Sequence, residues 1–306
     1  MAEITAKMVS QLREETGAGM MDCKKALTEA GGDIEEARTI LRKKGAAKAG
    51  QKSETRTASE GITDAFVSES GSVGVLLEVN SETDFVARNE AFHALAHELS
   101  RALADAGKPF SSVEEFLASP AADGKTINDV VTEAIARLGE KIAVARFERF
   151  DASTARGAVG AYIHRTDFKT GVLVEIASDK EITNIDALTQ LARDVAMHVA
   201  ATRPQYLNPE DVPAELLDKE REIAIAKQDA DPSFANKPEA AKKAMIEGQV
   251  RKYLEQCVLT EQGFVRDPSG KQKIKALVAE VGKSAGATLK IVRFARYRVG
   301  EVGGNG

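Results

Sequence analysis

One passage of the chain occurs twice. "GVLLEVNSETDFVARNEAFHALAHEL" (Gly74–Leu99) is matched by "GVLVEIASDKEITNIDALTQLARDV" (Gly171–Val195), with one residue fewer in the second copy. Gly74, Val75 and Leu76 align with Gly171, Val172 and Leu173, and Glu78 aligns with Glu175. A β-like run precedes each copy, "GITDAFVSES" in the first and "GAVGAYIHRT" in the second. A strand of a shared kind follows each at a distance: "KIAVARFERF" (Lys141–Phe150) and "KIVRFARYRV" (Lys290–Val299). These closing strands align Arg146 with Arg293, Phe147 with Phe294, Arg149 with Arg296 and Phe150 with Tyr297. A repeat on so long a period is a duplicated subdomain and not a solenoid. The fold class expected is therefore α+β. Each subdomain has a β-hairpin, a helix, further helix and a closing strand in an antiparallel sheet.

Residues 1–45 read as a separate helical module. Thr5 can cap a first helix, with Met8, Val9 and Leu12 on one face and Gly17 at its end. "MMDCKKALTEAGG" is a second helix stopped by Gly31-Gly32. Asp33 and Glu36 resemble a capping box for a third, whose buried face is Ile34, Ala37, Ile40 and Leu41, ended by Gly45. Residues 46–60, polar and rich in small side chains, read as a flexible linker. The first core subdomain then spans 61–151 and the second 152–301, with 302–306 a tail. Inside the second, Pro209, Pro213, Pro232 and Pro238 punctuate two charged helical runs. This predicts an antiparallel helical hairpin inserted at about 209–257.

Composition narrows the function. The 306 residues are 43% hydrophobic, enough to bury a core, and the length suggests about two domains. A net charge of −5 argues against nonspecific coating of DNA, which needs many cationic contacts to phosphate. The two cysteines, Cys23 and Cys257, are far apart and outside any C-x-x-C, as expected in a reducing compartment. The N-terminus lacks an apolar signal-like run, and no stretch approaches the roughly 18 apolar residues of a membrane span. The expectation is a soluble cytoplasmic protein with no membrane contact.

Catalytic motifs are missing. The chain has no G-x-x-x-x-G-K-[ST], no G-x-G-x-x-G after a strand and no G-x-S-x-G. No enzyme, no cofactor and no direct nucleotide binding are expected. His93 and His97 have metal-like i,i+4 spacing, but they flank an apolar stripe and "HALAH" lacks the glutamate of H-E-x-x-H. They read as partly exposed helix residues, and His198 as a packed or surface helix residue. From Arg266 to Arg298 nine Lys/Arg face two acids. Such a patch could meet RNA, but residues alternating along a strand with one solvated face explain it, and nucleic acid is not the expected partner.

"NSETDFVARNE" (Asn80–Glu90) lies between a strand and a helix, where glycine, proline or asparagine would be ordinary. It carries Phe85 instead. One reading makes Thr83 an N-cap, sets Asp84 in the positive first turn and tucks Phe85 under the sheet. The second copy favours it, since Lys180, Glu181 and Ile182 look equivalent and keep an acid before an apolar residue. The other reading is an aromatic anchor for a partner's pocket.

"TGAGMMDCKKALTEAGGDIEEA" (Thr16–Ala37) and "TDFVARN" (Thr83–Asn89) closely resemble the two signature segments of bacterial elongation factor Ts. "AMHVAATRPQYLNPEDV" (Ala196–Val212) and Val292–Glu301 do so as well, and the resemblance runs in order from residue 1 to about 301. It implies a UBA-like N-terminal module, two duplicated core subdomains and a helical-hairpin insertion. It implies guanine-nucleotide exchange on elongation factor Tu, a GTPase, in translation elongation. Phe85 would then wedge into an apolar pocket between partner helices, with Asp84 beside it disturbing the partner's magnesium surroundings and Thr83 still capping. Lys24, Leu138, Gly139, His164 and Val265 match further partner contacts of the family. One departure is a second Thr166-Asp167-Phe168 after His164, read as a coincidental hairpin tip. The rival readings are a UBA-like adaptor without exchange activity and an RNA-binding translation protein.

Overall fold

The computed structural model describes residues 4–41, 43–44, 56–152, 156–182, 184–229 and 237–301. Most of the expected linker, the end of the third helix, the turn of the expected hairpin at 230–236 and the tail at 302–306 lie outside these residues.

The N-terminal module has α1 (Ala6–Thr16), α2 (Met20–Glu29) and a third helix, α3, over 34–41. Thr5 caps α1 by accepting from the Met8 amide, and Gly17 ends it in the left-handed conformation. Asp33 accepts from the Glu36 amide at the start of α3. Val9, Leu12, Cys23, Ala26, Leu27 and Ala37 form its small core.

The repeat builds two antiparallel three-stranded sheets. The first orders β1 (Glu60–Val67), β2 (Val73–Ser81) and β3 (Ile142–Asp151). The second orders β4 (Gly157–Ile163), β5 (Thr170–Ser178) and β6 (Leu289–Arg298). β1 begins at Glu60, the last residue of the expected linker. Helices α4 (Asp84–Ala87), α5 (Glu90–Asp105), α6 (Val113–Leu117) and α7 (Ile127–Leu138) follow β2. α8 (Ile185–Thr202), α9 (Ala214–Asp229), α10 (Glu239–Cys257) and α11 (Ile274–Ala285) follow β5. α9 and α10 lie against each other, joined across by Arg221 and Glu247.

Each sheet covers its own helical core on one face, with Phe92, Leu99 and Ile135 in the first and Leu188, Val195 and Val278 in the second. The other faces pack on each other through Leu76, Phe150, Val159, Leu173, Ala295 and Tyr297. Central strands β2 and β5 are thus covered on both sides. That is why "GVLLEV" and "GVLVEI" are continuous apolar runs and not alternating ones. The contact between sheets is reciprocal: a Cβ on Gly74 would meet Leu173 of the other copy, and one on Gly171 would meet Leu76.

β6 departs from the alternation expected for the basic stretch. A register shift between Glu175 and Ile176 bulges the chain at Val292, and β2–β3 carry the same shift between Glu78 and Val79. Most of the cations of that stretch are also neutralised within the chain. Arg266 pairs with Asp194, Lys273 and Lys275 with Glu261, Arg293 with Glu175, and Arg296 with Glu301. The second Thr-Asp-Phe is a hairpin tip, but not an idle one. The Phe168 carbonyl accepts from the Thr63 amide and hydroxyl, and its ring stacks edge-on against His93 at 4.7 Å. It docks the second sheet on the first.

Candidate protein-interaction site

Phe85 is not under the sheet. It is 83% exposed, the most exposed large hydrophobic side chain among the described residues. The reason lies in the one-residue difference between the copies. Along the strands the copies keep an offset of 97 residues, as for Gly74 and Gly171. Along the helices the buried residues follow an offset of 96: Phe92 and Leu188, Leu95 and Leu191, Leu99 and Val195, Leu103 and Val199. The extra residue of the first copy therefore falls between Ser81 and Val86. Val86, not Phe85, takes the buried place of Ile182. A helix turn can point Val86 and Ala87 inward only by pointing Phe85 outward.

The mount beneath Phe85 is firm. Thr83 caps α4 by accepting from the Val86 amide. The Thr83 amide and hydroxyl both donate to the Glu140 carboxylate, at 3.0 and 2.7 Å. Ser81 donates to the Thr83 carbonyl, and Glu82 accepts from the Lys141 amide and pairs with Arg56. Asn89 caps α5 immediately afterwards. Asp84 is half exposed beside Phe85 and pairs with Arg88 at 3.2 Å.

Glu140 follows the end of α7, where Gly139 closes the helix at φ +81°, a conformation that suits glycine. Its bonds to Thr83 bring Leu138 and Gly139 to the same edge as Asp84 and Phe85. Gly17 lies against the stem of Arg137, so the helical module approaches this edge too. Lys24 is exposed on α2. Next to it Met20 and Met21 are 57% and 64% exposed. They escaped notice in the sequence because a methionine in a helix reads as core unless its exposure is known.

His164 and Val265 belong to a second location. A cleft of about 1140 Å³ opens between β1, β4 and α8, lined by His97, Tyr162, His164, Arg193 and Arg266 among others. His164 is exposed at the end of β4, and its Nδ1 lies 3.2 Å from the Tyr162 hydroxyl. Val265 adjoins Arg266 and is 48% exposed. The sequence-derived residues thus fall in two groups: Thr83, Asp84, Phe85, Leu138 and Gly139 in one, His164 and Val265 in the other, with Lys24 on the module.

His93 and His97 are separated by their contacts, His93 on Phe168 and His97 toward Asp64 at 3.4 Å. Burial raises the Asp64 carboxyl pKa, opposed by Ser100 and His97. Burial raises both Cys23 and Cys257 thiols, which leaves them poor nucleophiles. Among the described residues no group of three or more potential metal ligands occurs, and no helix is long and apolar enough to cross a membrane. The surface offers exposed apolar side chains on rigid supports, which suits binding a protein.

A family model described as elongation factor TS matches residues 82–301. The elongation factor Ts of Nostoc punctiforme is 44% identical over 306 residues, covering 98% of this chain and 94% of that protein. That of Symbiobacterium thermophilum is 44% identical over 302 residues, covering 98% and 93%. That of Clostridium perfringens is 42% identical over 298 residues, covering 97% and 93%.

Proposed function

The chain belongs to the elongation factor Ts family, whose role is in translation elongation, and from that premise we propose that it is a guanine-nucleotide exchange factor. It binds elongation factor Tu, disturbs the magnesium–nucleotide site of that GTPase and promotes release of GDP. It acts by binding and not by bond chemistry.

The observation that carries this reading is the exposed Phe85 on a clamped helix turn. An exposed ring gains on the order of 2–3 kcal/mol when a partner's apolar pocket takes it out of water. A mount already ordered in the free protein spends little of that on ordering. By linkage, a partner that weakens GDP binding is itself bound more weakly when GDP is present, by the same factor. The factor therefore favours the nucleotide-free conformation. Phe85 supplies the wedge. Asp84 brings a carboxylate toward the magnesium, whose bound waters and phosphate contacts tolerate little displacement. Lys24, Leu138, Gly139, His164 and Val265 extend the contact.

The test is release of a fluorescent GDP analogue from elongation factor Tu, chased with excess GDP, with buffer, with this protein and with its Phe85→Ala form. Acceleration by the wild type that is largely lost in Phe85→Ala supports the reading. No acceleration by the wild type on a cognate partner overturns it. Equal acceleration by both removes Phe85 from the working edge.

A further inference from the structure

His198 is fully buried on α8, yet the proposed function leaves it without a role. Its ring carries a directional chain of hydrogen bonds. The Val265 amide lies 3.1 Å from Nδ1, and an amide can only donate, so Nδ1 is an acceptor. The ring proton is then on Nε2, which donates to Oε1 of Gln262 at 3.0 Å. Gln262 in turn donates from Nε2 to the Gln256 carbonyl at 2.8 Å, and the Thr202 hydroxyl donates to the same Oε1. The chain thus runs one way from Val265 to the end of α10. Every bond sets the orientation of the next.

The loop is also held on either side of Val265. Phe264 is buried near the His198 ring, and Arg266 pairs with Asp194, one turn earlier on α8. Phe264 goes inward and Val265 stays outward because the backbone between them is tied to His198.

We propose that His198 is a positioning residue: through Nδ1 it fixes the backbone that presents Val265 to the partner. The proposal rests on the reading of Val265 as a partner contact. It gives the neutral ring, protonated on Nε2, a function at the surface that the ring itself never reaches.

Two substitutions separate the ring's two nitrogens. His198→Asn places an oxygen where Nδ1 was and keeps an acceptor for the Val265 amide. His198→Gln reaches toward Gln262 but withdraws that acceptor. Each is compared with wild type and Val265→Ala in the nucleotide-release assay, as a function of factor concentration, after thermal melting confirms folding. His198→Gln is expected to raise the half-maximal concentration roughly three- to ten-fold, the net worth of one hydrogen bond. His198→Asn stays near wild type, and Val265→Ala adds little to His198→Gln. Imidazole ¹⁵N spectra of the wild type are expected to show Nδ1 bare and Nε2 protonated. If Val265→Ala has no effect, the reading of Val265 fails and the proposal falls with it. If Val265→Ala weakens the factor while Asn and Gln at 198 behave alike, only the positioning role is overturned. A proton on Nδ1 overturns it as well.

Discussion

The guanidinium of Arg146, on β3, lies 4.2 Å from the ring centroid of Tyr297, on β6 of the other sheet. The equivalent arginine, Arg293, lies 4.1 Å from the ring of Phe150, the equivalent of Tyr297. Each arginine is also held by the glutamate of its own central strand, Arg146 by Glu78 and Arg293 by Glu175. The duplicated strands therefore exchange cation–π contacts across a pseudo-twofold axis. The core interface is built from one motif used twice.

Arg146→Met leaves the nearly fully buried Glu78 carboxylate without its arginine. Breaking such a pair costs about 3–5 kcal/mol. The Arg293→Met loss is expected to be smaller, because Arg293 is half exposed and water can reach Glu175 more easily. Urea unfolding of the two variants checks the order.

Gly160→Ala is expected to be worse than Gly171→Ala. A Cβ on Gly160 collides with the α8 backbone at Ala192 and Arg193, which cannot turn away. One on Gly171 meets the Leu76 and Ile163 methyl ends at 2.6 and 2.8 Å, which can shift. The Gly171 variant loses about 1–3 kcal/mol by overpacking, and the Gly160 variant more, read from chemical denaturation.

Thr83→Ala removes the cap of α4 and one of two bonds to Glu140. The cap alone is worth about 1 kcal/mol. Exchange activity is expected to fall with little change in the global melting temperature, because α4 is a single turn at the edge of its core. Thr83→Ser keeps the hydroxyl and restores activity. Nucleotide-release rates measured beside melting curves decide it.

Burial lowers the His198 pKa from its ordinary 6.5, with the Gln262 hydrogen bond opposing. Asp194 and Arg266, the charged pair beside it, neutralise each other. As pH falls below 6.5 the unfolded chain takes up a proton that the folded chain refuses. Stability is therefore present in full above 6.5 and declines until pH passes the folded value. The urea midpoint of wild type is expected to drop over this window more than that of His198→Asn.

Local and periodic features were legible in the sequence. The duplication, the caps Thr5 and Thr83, the helix stop at Gly17 and the continuous apolar strands each depend on residues near one another in the chain, or on a pattern repeated along it. Alignment alone could not decide where Phe85 points. The repeat paired it with buried Ile182, and one extra residue in the turn moved that pairing to Val86. Tertiary structure alone joined Glu140 to Thr83, tied His198 to Val265, docked Phe168 on His93 and paired Arg266 with Asp194 and Arg293 with Glu175. These contacts link residues dozens to more than a hundred positions apart, and only the packing of the two sheets and their helices selects them. Periodicity records which side of an element is apolar, but not which distant group meets it.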